Sequence, residues 1–277
     1  MRNHFLRAGG IPSSTDTVTM VSGSPFTYNV DNDPVLNGAF SFTLANVPTV
    51  PKAGKRMAII HCSFRLAGNG TYAAFGNWFK PSNQNGSATV TLAGSTPTYK
   101  AVARTNYNGT AFYFLRDDLN TSGSDSNITF SFDNSNYSGP NLDGGAAVTI
   151  WIFDYVETFL NAWNHPDSND DTPTSYTLNV NPPGSGSGWT HSFKAVSAVA
   201  SNPTAGISYT KGTGETDSTY SSALEVDIGS SELIDCSYAF LDTGSPTNIT
   251  GTVSIDSGSL NNGLGHMTTF TRFKPSS

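Results

Sequence analysis

Charge is what this chain has least of. Asp, Glu, Lys and Arg make up 13% of its 277 residues, roughly half the usual share. The net charge is −7 with only 14 basic residues, and they form no run; Arg2, His4 and Arg7 are the one local excess of positive charge. Nucleic-acid binding needs clustered Lys and Arg to displace counterions, so that class is excluded. Cysteine is nearly absent: Cys62 and Cys236 stand far apart, each in an apolar stretch. The expected state is two separate buried thiols, with a disulfide between them as the alternative if the Cα geometry allows it. No CxxC or Cys/His pair suggests zinc. Long apolar runs are missing too. The longest, Ala146 to Val156, is interrupted by Asp154 and reaches about half the ~20 residues that a spanning helix requires. Residues 1–10 carry positive charge without an apolar stretch behind it, so no export signal is expected.

Catalytic signatures are equally scarce. Gly184-Ser185-Gly186-Ser187-Gly188 has glycine where a nucleophile elbow needs serine, and neither a Walker loop nor a GxGxxG opening a helix occurs. The histidines, His4, His61, His165, His191 and His266, lack metal-ligand spacing. His61 and Cys62 are strand neighbours, which point to opposite faces and cannot form a nucleophile pair. Asp117 with Asp118, or Asp31 with Asp33, could in principle serve a glycosidase, but turn and surface solvation explains both pairs. Asp167, Asp170 and Asp171 could offer oxygens to calcium without an EF-hand pattern; solvated charge is the plainer account. The expectation is a protein that is not an enzyme, with no catalytic residue, no cofactor and no bound metal.

What remains is neutral and polar: Ser, Thr, Asn and Gly, with aromatics at 12%, enough to build a core and argue against disorder. Strand patterns dominate. Residues 39–44, 88–92 and 127–132 alternate polar and apolar, and Val148 to Phe153 is β-branched and aromatic, as in a strand covered on both faces. Met57-Ala58-Ile59-Ile60 has the same sealed character. Gly/Asn pairs such as Asn85-Gly86 and Asn108-Gly109 mark turns. Helical periodicity is absent, with a short helix over Glu157 to Trp163 the most the pattern admits.

The chain also repeats itself. Ser41-Phe42-Thr43-Leu44 matches Ser175-Tyr176-Thr177-Leu178. Phe112, Phe114 and Leu115 match Tyr238, Phe240 and Leu241. Asn127-Ile128-Thr129 matches Asn248-Ile249-Thr250, and Thr149 to Phe153 matches Thr268 to Phe273. The order is collinear, so the fold class predicted is all-β, with two tandem β-sandwich or jelly-roll-like domains. The boundaries are an N-terminal arm at 1–24, a first domain at 25–160, an acidic, proline-containing linker at 161–174 and a second domain at 175–277. Trp151 belongs to the core. Trp78, Trp163 and Trp189 stand in Gly/Asn/Pro-rich surroundings and are the candidate surface-binding residues, able to stack on a sugar or anchor an interface; plugging the sandwich ends is the alternative.

The strand stretches Ala58 to Phe64, Val90 to Ala103, Ala111 to Leu119, Ser124 to Asp133 and Ala147 to Val156 together resemble the jelly-roll-like modules, often in tandem, of structural proteins of tailed bacteriophages and of some bacterial surface proteins. In the second unit the stretch Ser192 to Val199 is less apolar than its counterpart. The resemblance implies an accessory virion protein: a tail-tip or fibre component mediating assembly or host contact, or alternatively a capsid decoration protein. It implies a homo-oligomer exposed on the particle, with other virion proteins and a host-surface glycan as partners, and neither nucleic acid nor membrane insertion. A free carbohydrate-binding module or adhesin is the alternative from another class.

Overall fold

The computed structural model describes residues 17–31, 40–47, 57–65, 89–92, 99–104, 108–116, 126–133, 145–164, 173–184, 189–228, 232–242 and 246–272. Among them every regular element is a strand and every pairing is antiparallel. In chain order the strands are β1 (Thr19–Met20), β2 (Phe26–Asp31), β3 (Phe40–Val47), β4 (Met57–Arg65), β5 (Thr89–Leu92), β6 (Tyr99–Arg104), β7 (Asn108–Arg116), β8 (Ser126–Asp133) and β9 (Gly145–Asp154). There follow β10 (Val156–Asn164), β11 (Ser175–Thr177), β12 (His191–Ser201), β13 (Ile207–Thr210), β14 (Ser221–Ile228), β15 (Glu232–Leu241), β16 (Thr252–Ile255) and β17 (Ser259–Arg272).

They form four sheets. Sheet 1 has the order β1-β9-β4-β7-β6, with β2 also on β9; sheet 2 is β3-β8-β5; sheet 3 is β10-β17-β12-β15-β14; sheet 4 is β11-β16-β13. β1 and β2 pair with successive stretches of β9, residues 153–154 and 145–150, and so make one interrupted edge. With β1 set aside as an extension of that edge, the first two sheets become the last two when the numbers of β2 to β9 are raised by eight. The repeated sequence segments fall on strands related by this shift: β3 and β11, β7 and β15, β9 and β17. The Asn248-Ile249-Thr250 segment sits just before β16, with Ile249 bridged to Val180 beyond β11, as β8 is paired to β3.

Three expectations are corrected. The stretch from Glu157 to Trp163 is not a helix but part of β10, paired along its length with β17. Phe159 and Ala162 pack on opposite faces of the sheet, one on each of two cores, which is the two-sided burial that a strand offers and a lone helical turn does not. Asn161 to Asn164, assigned to the linker, are therefore strand. The chain passes from sheet 1 to sheet 3 at a single residue, Tyr155, whose φ of 63° turns β9 into β10. Residues 165–172 lie outside the described residues. The close of the expected N-terminal arm is likewise built in: Val18 is 2% exposed, β1 pairs with β9, and the Val21 amide donates to the Ile152 carbonyl. An apolar Val-Thr-Met-Val run gains more from an open sheet edge than from water.

The cores follow from the layers. β12 is buried from His191 to Ala200 without a break, because sheet 1 covers one face and sheet 4 the other. Phe193, Ala195 and Cys236 of sheet 3 meet Met57, Ile59, Trp151 and Phe153 of sheet 1 in one apolar cluster. Val196, Ala198 and Ala200, one step along the same strand, meet Tyr176, Leu178, Val253 and Ile255 of sheet 4 and its flanks. Trp151 lies at the centre of the first cluster, its ring 4.9 Å from that of Phe193 and 5.6 Å from that of Tyr238. Met57 to Ile60 and Val148 to Phe153 are all fully buried, as their unbroken apolar character predicts.

Candidate functional site

Among the described residues three places concentrate chemistry: the β10 edge, the seam between sheets 1 and 3, and a buried charged network at one end of sheet 3.

The β10 edge holds two of the three candidate tryptophans. β10 is the outer strand of sheet 3 and carries the two exposed large apolar side chains recorded among the described residues, Leu160 at 44% and Trp163 at 39%. Three positions apart on a strand, they project to opposite faces. Leu160 shares its face with Trp189: a methyl group placed on Gly184 would come 2.8 Å from Leu160 Cδ1 and 3.1 Å from Trp189 Nε1. Gly184 has φ 77° and no side chain, and the half-buried Trp189 indole closes over it beside Pro183, whose carbonyl accepts from Thr269. Trp163 lies on the Phe159 side, opposite His266 in the register. The two indoles therefore do not form one stacking platform. Trp78 lies outside the described residues.

The seam between sheets 1 and 3 is mostly apolar but contains a polar stripe. His61 on β4 and Ser197 on β12 share a hydrogen bond of 2.7 Å. On the neighbouring β17, Thr268 donates to Asn161 Oδ1 at 2.7 Å and so accepts from His266 Nε2, also at 2.7 Å; that nitrogen of His266 carries the proton. Burial lowers the pKa of both histidines to about 3, because a charged imidazole would have to leave water. Cys236, a free thiol buried in the same seam, has its pKa pushed well up by burial and by the charge of Asp235. It is inert by the usual criterion for reactive cysteines and forms no disulfide.

The third place was invisible as a site in the sequence. Lys194 on β12 has a fully buried side chain. Its ammonium donates to Asp217 Oδ1 at 2.8 Å and to Thr247 Oγ1 at 3.2 Å, and it stands 3.7 Å from Glu215 Oε1. Glu215, also fully buried, accepts the hydroxyls of Tyr220 and Tyr209 at 2.6 Å each, one on each oxygen. Burial and the neighbouring Glu215 charge push both tyrosine pKa values up. Asp217 also accepts from the Thr247 amide at 2.8 Å and from Ser218 Oγ at 3.0 Å, as well as from the Thr247 hydroxyl. Its partial burial alone would raise its pKa, but the bonds from Lys194 and Thr247 outweigh that and hold it at about 2. The network ties β12 to the β13–β14 and β15–β16 connections. Its one sequence signal was a lone lysine inside an otherwise neutral strand, since a buried charge requires a partner; the partners sit in Gly/Thr/Ser loops that carry no pattern.

Most of the other sequence candidates lie outside the described residues. Asp31 closes β2 opposite Gly145, while Asp33, Asp117, Asp118, Asp167, Asp170 and Asp171 lie outside the described residues, as do His4 and His165. Among the described residues no three His, Cys, Asp or Glu side chains are grouped as a metal would need, and no helix is long and apolar enough to cross a membrane. Searches of protein-family models, of curated proteins and of solved structures return no match to this chain.

Proposed function

We propose that this protein is a non-enzymatic structural subunit of a virus particle, of the tailed-bacteriophage kind that the sequence resembles, built as two tandem jelly rolls and placed on or in the shell. The observation that carries this reading is the eight-strand pairing diagram used twice, with the two large sheets joined face to face through one apolar seam. Eight-stranded jelly rolls recur in viral capsids and in lectins, and the choice between them rests on the site. An arm-and-tip fibre calls for sandwiches strung end to end on a linker. Here a single residue joins the two large sheets, and Trp151, Phe153, Phe193 and Phe270 share one core, which makes a stiff block suited to tiling. The lectin alternative loses its best support because Trp163 and Trp189 face different ways.

The test is to express the chain, raise its concentration and image it. Regular closed or sheet-like assemblies of many copies are expected, and replacing Leu160 and Trp163 with serine should weaken them while leaving the unfolding midpoint nearly unchanged, since both side chains are already part-exposed. A monomer at every concentration that instead binds glycans on an array would establish the lectin reading in its place.

A further inference from the structure

We infer that Lys194 and Asp217 are the precursors of an intramolecular amide cross-link, with Glu215 as the proton carrier. A primary amine and a carboxyl group stand at 2.8 Å with a second, fully buried carboxyl group 3.7 Å from the same amine. Both partners are fixed from several directions. Lys194 is clamped in the centre of sheet 3 between β15 and β17. Asp217 is held by Thr247 and Ser218, and Glu215 by Tyr209 and Tyr220. Such fixation supplies what the reaction lacks in water. Condensation of an amine with an acid is unfavourable between free molecules, but oriented groups reach effective molarities on the order of 10⁵ M or more. The Lys194 and Glu215 side chains are fully buried, which limits the water that could reverse it from their side.

The step needs no oxidant and no cofactor. The Lys194 ammonium passes one proton to Asp217 along their hydrogen bond, leaving an amine and a carboxylic acid. The nitrogen lone pair forms a bond to Asp217 Cγ while the carbonyl π pair moves to its oxygen. Glu215 takes a proton from the nitrogen and delivers it to the hydroxyl of the tetrahedral carbon. The C–O bond breaks with its electron pair on the departing water, the carbonyl re-forms, and the product is a neutral secondary amide. The charges of the Lys194–Asp217 pair disappear, which removes the desolvation penalty of the buried ammonium. The bond would close the segment from residue 194 to residue 217 into a covalent loop, in a protein whose Cys236 is a free thiol. Chain entropy lost from the unfolded state would then stabilise the fold independently of redox conditions.

The experiment is intact-mass spectrometry of the full chain after denaturation, followed by digestion. The expected mass is one water below the sequence mass, with a branched peptide joining Lys194 to Asp217. Asp217→Asn should lose one ammonia instead, because the amide nitrogen becomes the leaving group, and Lys194→Arg should lose nothing. Glu215→Gln should remain uncross-linked while its circular dichroism stays that of a folded β protein; this separates proton transfer from a merely structural role. A folded wild-type chain of full sequence mass with an unmodified Lys194 overturns the proposal and leaves a buried ion pair.

Discussion

His61 Nε2 and Ser197 Oγ lie 2.7 Å apart, although 136 residues separate them in the chain. They sit on β4 and β12, the strands that occupy the same place in the two halves of the pairing diagram, so the repeat meets itself at its own central strand.

The burial of His61, and of His266 beside the same seam, sets an acid response. His61 and His266 keep pKa values near 3 in the fold, against about 6.5 in the unfolded chain. Their contribution is fully present above pH 6.5 and is lost as the pH falls toward 3, because the unfolded state takes up protons that the folded state refuses. Each costs about 1.4 kcal/mol per pH unit in that window. Urea unfolding from pH 7 to pH 4.5 should show stability falling with acid, and the His61→Gln, His266→Gln double variant should lose the fall. A wild-type midpoint that holds steady or rises with acid would contradict it.

Asp235 works in the opposite direction over much of the same range. Burial and the Glu225 carboxylate raise its pKa to about 7, since the two acids stand directly opposite one another on β14 and β15. A carboxyl whose folded pKa is raised destabilises the protein as the pH climbs from about 4 through 7, so one aspartate offsets one of the two histidines. Asp235→Asn should raise the melting temperature at pH 8 by several degrees, with little effect at pH 4, and should steepen the acid slope toward two protons. A lower melting temperature at pH 8 would show that the charged form is the one being stabilised.

Trp151 should be the most costly single truncation in the seam. It is fully buried against Phe193 and Tyr238, and Trp→Ala in such a core costs about 3–5 kcal/mol. Trp163→Ala, at 39% exposure, should cost under about 1 kcal/mol. Chemical denaturation of the two variants side by side checks the ranking, and equal losses would mean that the seam is not the main core.

Gly212 tests the loops around the charged network. A methyl group there would meet the Thr250 carbonyl oxygen at 2.1 Å, a backbone atom that cannot swing aside. Gly212→Ala should destabilise by about 1–3 kcal/mol and raise amide exchange in the 211–220 loop, whereas Gly214→Ala, with its nearest contact at 3.8 Å, should be nearly silent. Equal exchange in both variants would refute the packing.

Much of the fold was legible because strands announce themselves locally. Val148 to Phe153 and Met57 to Ile60 read as sealed strands from composition alone, and the collinear repeats marked the duplicated strand order before any pairing was known. β10 was misread because Thr-Phe-Leu-Asn-Ala-Trp mixes apolar and polar residues without alternation; each of its faces packs on a different core, which a period-two test does not detect. Trp163 was read from Gly/Asn/Pro-rich surroundings but stands on β10, and neither its direction nor that of Trp189 could be read from the neighbouring residues. Lys194 was visible only as an oddity, since its partners, Glu215 and Asp217 on one loop and Thr247 on another, reach it only when the two loops come together in space.

The sequence by itself determined that this chain pairs strands, twice over in the same order, because alternation, β-branching and turn residues act over a few neighbours. The tertiary structure decided which faces of those strands meet. Whether Ser197 finds His61, or Lys194 finds Asp217, depends on the stacking of whole sheets, and that is fixed by the summed burial of many side chains rather than by any local preference.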